Sequence, residues 1–140
     1  MITISNFQYP ADYDKIMQMW KDAGEGLGIN YSDEPEEIEK KLIHDPNLFL
    51  IAKDDQKIVG SVIGGFDGRR GMIYHLAVSY DYRRNGLATE LMNEIENRLR
   101  NQGCRKVYLL LKKGNINAKL FYEKFGWELM DHVNIYGKKL

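Results

Sequence analysis

Leu87, Leu91, Ile95 and Leu99 recur every fourth residue. That spacing puts them on one face of a helix over Ala88–Gln102, which Gly103 stops. Upstream, the apolar run Met72 to Val78 reads as a strand, and so do Ile2 to Phe7, Leu48 to Lys53 and Lys57 to Gly65. The turn Asp54-Asp55-Gln56 makes the middle pair a hairpin, and Asp67 to Gly71 turns the chain again. Tyr13, Ile16, Met17 and Trp20 share a face of a first helix that Asp12 can cap. Gly24, Gly26 and Gly28 break it, leaving a loop through Tyr31. Asp33-Glu34-Pro35-Glu36 has the look of a capping box with an early proline, opening a second helix to about His44 that Asp45-Pro46-Asn47 ends. Val107 to Leu111 is continuously apolar, as a strand buried on both faces would be. Ala118 to Phe125 reads as a helix ended by Gly126, and Trp127 to Met130 and Val133 to Tyr136 as closing strands. The order is β-α-α-β-β-β-α-β-α-β-(β). Strands that first meander and then alternate with helices predict an α/β fold (α+β, mixed sheet) in a single domain over residues 1–140.

The junction between the strand ending at Val78 and the helix beginning at Leu87 carries the most chemistry. Backbone N–H groups at a helix N-terminus favour an anion, and Arg83, Arg84 and Gly86 lie in the turn. The plain structural alternative is a tight turn with two solubilising arginines. No G-x-x-x-x-G-K-[ST] run and no G-x-G-x-x-G occurs, which excludes a Walker loop and a dinucleotide fingerprint.

Composition narrows the partners. Formal net charge is zero over 140 residues, but residues 1–70 hold 8 Lys+Arg against 13 Asp+Glu, a balance of −5, and residues 71–140 hold 12 against 7, a balance of +5. A uniformly basic nucleic-acid face is thus not expected. No apolar run reaches the length of a membrane span, and Met1 to Ser5 does not read as a signal peptide. Cys104 is the single cysteine, which fits a reducing cytoplasm. His44 and His132 lack metal-ligand spacing, so no metal is expected.

The run Arg83-Arg84-Asn85-Gly86-Leu87-Ala88 fits R-x-x-G-x-A, and Asn115 to Trp127 fits N-x-x-A-x-x-x-Y-x-K-x-G-[FWY]. Both motifs, in this order, resemble the signature of the GCN5-related N-acetyltransferase (GNAT) superfamily in its small, stand-alone bacterial form. The resemblance implies an acyl-CoA N-acyltransferase fold in which the strands on either side of the motif helix splay to admit pantetheine. It implies acetyl-CoA as co-substrate, with the pyrophosphate on the N–H groups of Arg84, Asn85, Gly86, Leu87 and Ala88 and with charge from Arg83 and Arg84. Backbone groups of Leu76, Ala77 and Val78 would pair with the pantetheine amides, and one such N–H would polarise the thioester carbonyl. Asn115 would meet the pantetheine arm, Ala118 would leave it room, and Tyr122 would be the general acid at the sulfur.

Several family members carry a glutamate as general base on one of the splayed strands; here neither strand holds an acid. His75 is the substitute, since histidine's ordinary pKa of about 6.5 suits the task. Tyr74, or a water chain to glutamates of the acidic half, is the other route. The run Asp33 to Glu39, with Tyr31, is expected at the acceptor entrance. An acetyl-cysteine route through Cys104 lacks a paired histidine in sequence. The expected activity is acetyl transfer from acetyl-CoA to a primary amine of a small molecule, peptide or protein, by direct attack in a ternary complex, in a monomer or homodimer. A non-catalytic CoA-binding module of the same fold is the alternative.

Overall fold

The fold is built on a five-stranded sheet in sequence order, β1-β2-β3-β4-β5. The computed structural model describes residues 1–24 and 27–140, so the expected break at Gly26 lies outside the described residues. The strands are β1 (Ile2–Asn6), β2 (Phe49–Asp54), β3 (Lys57–Phe66), β4 (Gly71–Val78) and β5 (Val107–Leu109). Helices α1 (Tyr13–Asp22), α2 (Pro35–His44) and α3 (Leu87–Asn101) join them in a first unit, residues 1–110. A second unit, residues 111–140, holds α4 (Ile116–Lys124).

The meander β1 to β4 is antiparallel throughout, and β5 joins β4 in parallel. Asp55 takes a positive φ of 54° in the β2–β3 turn, which a short Asp/Asn-type residue tolerates. The pleat divides β2 between two cores. Phe49 and Ile51 face Ile16, Met19 and Trp20 of α1 and Ile38 of α2. Leu48, Leu50 and Ala52, the alternate residues, are also fully buried. On that second face α3 comes in so close that a Cβ on Gly60 would meet the Leu91 side chain at 3.0 Å, and one on Gly64 would meet Ile95 at 3.0 Å. The expected stripe Leu87, Leu91, Ile95 and Leu99 is buried in full.

Trp20 anchors the α1 face. Burying a side chain of this kind is worth roughly 2–3 kcal/mol, provided the indole N–H finds an acceptor. Here Nε1 donates to Ser61 Oγ at 2.8 Å. The ring stacks on Phe49 at 6.0 Å, and Phe7 stacks on the same phenyl at 4.2 Å.

Four expectations are corrected. Asp12 stands at the N-cap position of α1 but makes no side-chain cap there; buried, it accepts from the Gln8 N–H at 2.9 Å and pairs with Lys53 at 3.0 Å. Asp33 does not cap α2. The capping box lies three residues earlier, from Asn30 to Asp33 around a short 3-10 turn (Tyr31–Asp33). Val107 to Leu111 is not a buried central strand: β5 ends at Leu109 and is a half-buried edge. It pairs with β4 through three residues only, the last pair being Ile73↔Leu109. Finally, residues 127–140 form no strand. Their alternation carries strand propensity, yet Leu129, Val133, Ile135 and Tyr136 are exposed. Without a paired and packed partner an alternating segment does not hold strand geometry.

The foot of the β4–β5 pair is tightly packed. A Cβ on Gly71 would stand 2.8 Å from Cys104 Sγ, inside any normal contact. Gly71→Ala is expected to cost about 1–3 kcal/mol of stability by overpacking. Cys104→Ala in the same chain should restore part of the loss, and urea unfolding of the single and double variants measures both.

Candidate active site

The turn after β4 is held from beneath. Ser79 N–H bonds the Val59 carbonyl at 2.8 Å, and a short 3-10 turn (Tyr80–Tyr82) follows. Tyr82 Oη donates to Asp54 Oδ2 at 2.8 Å, tying this turn to the β2–β3 hairpin; the bond lowers the Asp54 carboxyl and raises the Tyr82 phenol. Arg83 is a brace. Its Nε donates to the Val78 carbonyl at 2.9 Å, its terminal nitrogen reaches the Ala23 carbonyl at 3.3 Å, and the guanidinium lies 5.7 Å from the Tyr80 ring centre. Arg84 follows in left-handed backbone, φ 66°, and Gly86 repeats it at φ 82° as the N-cap of α3.

Gly86 supplies no side-chain cap, and a Cβ there would meet nothing within 4 Å. The positive φ favours glycine, and the space beside it is open. Among the described residues no protein acceptor takes the N–H groups of Arg84 to Ala88. A helix end with open donors and no cap fits an anion such as a pyrophosphate.

Beyond that turn, β4 offers an open edge. Its pairing with β5 covers only Gly71 to Ile73, so Tyr74 to Val78 have no strand partner on that side among the described residues. Leu76, Ala77 and Val78 lie along this unpaired stretch. On the other side, Ser61 pairs with Ala77 and Ile63 with Tyr74, so His75 and Leu76 together oppose Val62 in a bulge.

His75 sits at the bulge with φ 50°, a costly conformation for a non-glycine residue, of order 1–3 kcal/mol. Ser61 Oγ donates to its carbonyl at 2.8 Å and holds it there. The imidazole meets the Trp20 ring edge-on, centroids 4.6 Å apart. Its Nε2 lies 2.9 Å from both carboxylate oxygens of Asp33. The side chains are 13% and 6% exposed, so this is a nearly buried pair. Tyr74, by contrast, is 45% exposed; the buried part of its ring raises the phenol.

In the second unit, Asn115 Oδ1 accepts from Ala118 N–H at 3.2 Å, the N-cap of α4. Ala118 and Tyr122 stand one turn apart on α4. Tyr122 packs edge-on with Phe121 at 5.2 Å and Trp127 at 5.9 Å, and its carbonyl accepts from the Trp127 N–H at 2.9 Å. Burial pushes its phenol up to about 12, so the hydroxyl stays protonated through the physiological range. Gly126, φ 100°, ends the helix as expected.

Of the expected residues, the structure thus brings Arg84 to Ala88 to one turn and sets His75 on the bulge of the strand leading to it. Arg83 is spent on carbonyls, which leaves N–H groups, helix dipole and Arg84 to meet an anion. Cys104 is buried with its thiol on the Lys106 carbonyl at 3.3 Å. The residue missed is Asp33 as the partner of His75. Its charge was visible, but nothing in the sequence links two positions 42 residues apart.

The profile of the Acetyltransferase (GNAT) family matches residues 13–127. An acetyltransferase of Sodalis glossinidius is 38% identical over 129 residues, covering 92% of this chain and 89% of its own. Among solved structures, Ard1 of Thermoplasma volcanium aligns with a TM-score of 0.73 at 25% identity, over 89% of this chain and 81% of its own. The PaiA N-acetyltransferase of Thermoplasma acidophilum, solved with coenzyme A, aligns at 0.81 and 16% identity, over 94% and 92%.

Tyr122 gives a pH test. Its folded pKa lies above the ordinary 10, so the fold binds that proton more tightly than the unfolded chain. The stability it contributes is complete below pH 10 and is lost as pH rises toward 12. Relative to Tyr122→Phe, the parent chain should lose melting temperature from about pH 10 upward. Parallel melting curves across that range would contradict the assignment.

Proposed function

The chain belongs to the acetyltransferase (GNAT) family, an acyl-CoA-dependent enzyme family with acetyl-CoA as co-substrate, and from that premise we propose that it acetylates a primary amine by direct attack in a ternary complex. The observation that carries this reading is His75, fixed on the bulge where β4 runs free of β5. The amine nitrogen bonds to the acetyl carbon, the carbon–sulfur bond breaks, and the amine proton passes to His75. No carboxylate stands on β4 or β5, and burial raises the Tyr74 phenol on β4, which favours His75 as the base on these strands. The open donors of Arg84 to Ala88 receive the pyrophosphate, and the free edge from Leu76 to Val78 receives the pantetheine amides. One N–H of that edge polarises the thioester carbonyl.

Tyr122 takes its role from the motif it occupies. With its phenol at about 12, handing the proton outright to a thiolate of ordinary pKa, about 8.5, is uphill by roughly 5 kcal/mol. Its larger contribution is a hydrogen bond that stabilises the leaving sulfur, which then takes its proton from solvent. Residues 1–140 act as one catalytic domain in this reading. A cytoplasmic setting, supported by the single cysteine, supplies the acetyl-CoA.

Thiol release from acetyl-CoA across small amines, polyamines, aminoglycosides and peptides tests the activity and sorts the acceptor. For the best acceptor, His75→Gln should lower kcat by roughly 10²-fold while the KM for acetyl-CoA holds. Tyr122→Phe should lower kcat with acetyl-CoA affinity kept. Binding of acetyl-CoA with no release to any acceptor would turn the reading to a CoA-binding module without turnover.

A further inference from the structure

Resting on the reading of His75 as proton acceptor, we propose that Asp33 is its positioning residue: the carboxylate fixes the imidazole as the Nε2–H tautomer, so the base is Nδ1. Asp33 is 4% exposed, and both its oxygens stand 2.9 Å from Nε2. An ionised carboxylate only accepts hydrogen bonds, so Nε2 is the nitrogen that carries the proton. The neutral ring then has its lone pair on Nδ1. Among the described residues the ring's hydrogen bonds all run through Nε2, and no buried side-chain nitrogen lacks a partner. Nδ1 therefore opens to solvent or substrate.

The carboxylate is itself held. Oδ2 accepts from the Asn30 N–H at 3.2 Å, the Asn30 side chain accepts from Ser32 N–H at 2.9 Å, and Tyr13 Oη donates to the Asp33 carbonyl at 2.8 Å. A cap of the Asn30 turn needs one oxygen only. The approach of both oxygens to one imidazole nitrogen goes beyond capping. On the opposite side the histidine backbone is set by Ser61 and its ring by Trp20. The imidazole is thus clamped through its far nitrogen, and when Nδ1 takes the amine proton the new positive charge lies against Asp33. This is the arrangement by which a buried carboxylate orients a catalytic histidine, reached here through an aspartate from the α1–α2 connection.

The test reads the tautomer directly. In long-range proton–nitrogen spectra of labelled protein, His75→Gln identifies the His75 signals, and the unaltered chain should show a neutral ring protonated at Nε2. Asp33→Asn should shift the ring toward the other tautomer. It should also lower kcat by roughly 10–100-fold, part of the ~10²–10⁴ of acid–base catalysis, with the KM for acetyl-CoA within about twofold. Protonation at Nδ1 in the unaltered chain overturns the proposal, and so does Asp33→Asn with tautomer and kcat both unchanged. Should Asp33→Asn fail to fold, the spectrum of the unaltered chain still decides. An unchanged kcat in His75→Gln would sink the assignment of His75 as base, a failure distinct from a wrong tautomer.

Discussion

The hydrogen-bond relay from the Trp20 indole through the Ser61 hydroxyl to the His75 carbonyl is the constraint on which the candidate site depends. Each member would be a liability alone. A buried indole N–H without an acceptor costs about 1–3 kcal/mol, and so does a buried serine with an unmet hydroxyl. Joined, they satisfy one another and tie α1, β3 and β4 at one point. That point is the bulge, where His75 is held in left-handed backbone that a histidine does not favour. The bulge begins two residues past the last β4–β5 pair, so the imidazole is presented where that edge of β4 is unpaired.

The turn after β4 shows a comparable division of labour. Arg83 looks in sequence like an anion ligand, but its guanidinium lies on two main-chain carbonyls and an aromatic ring. Its charge holds the loop in place. The groups it leaves open are backbone N–H groups, which cannot be swung away, and the positive end of a fifteen-residue helix. Such donors are preorganised at no further entropic cost.

Much of the fold was legible in the chain. The α3 stripe, the β2–β3 hairpin and the glycine stops at Gly103 and Gly126 depend on period and turn chemistry, and these are local. The motif turn was legible for the same reason, since Gly86 and its neighbours must take particular backbone angles. Local signals misled where two segments offered the same chemistry. Asn30 and Asp33 both suit a helix or turn start, and sequence favoured Asp33 as the cap of α2. Burial against His75 gives Asp33 a stronger engagement, and the capping box settles three residues earlier. Val107 to Leu111 and Trp127 to Tyr136 misled in another way. An apolar run states what a segment prefers, but strand length is set by the partner it pairs with.

By itself the sequence determined the order of elements from β1 to α4, the glycine turn that opens α3 and the histidine standing on a strand without an acid. Each of these follows from residues within a few positions of one another. The tertiary structure alone decided that His75 meets Asp33, that Trp20 meets Ser61, and that Arg83 turns to carbonyls. The first two join positions more than forty residues apart. They depend on sheet register, and a slip of a single residue would send Ser61 to the opposite face. Register is fixed by the packing of both cores together, so no stretch of sequence read alone contains it.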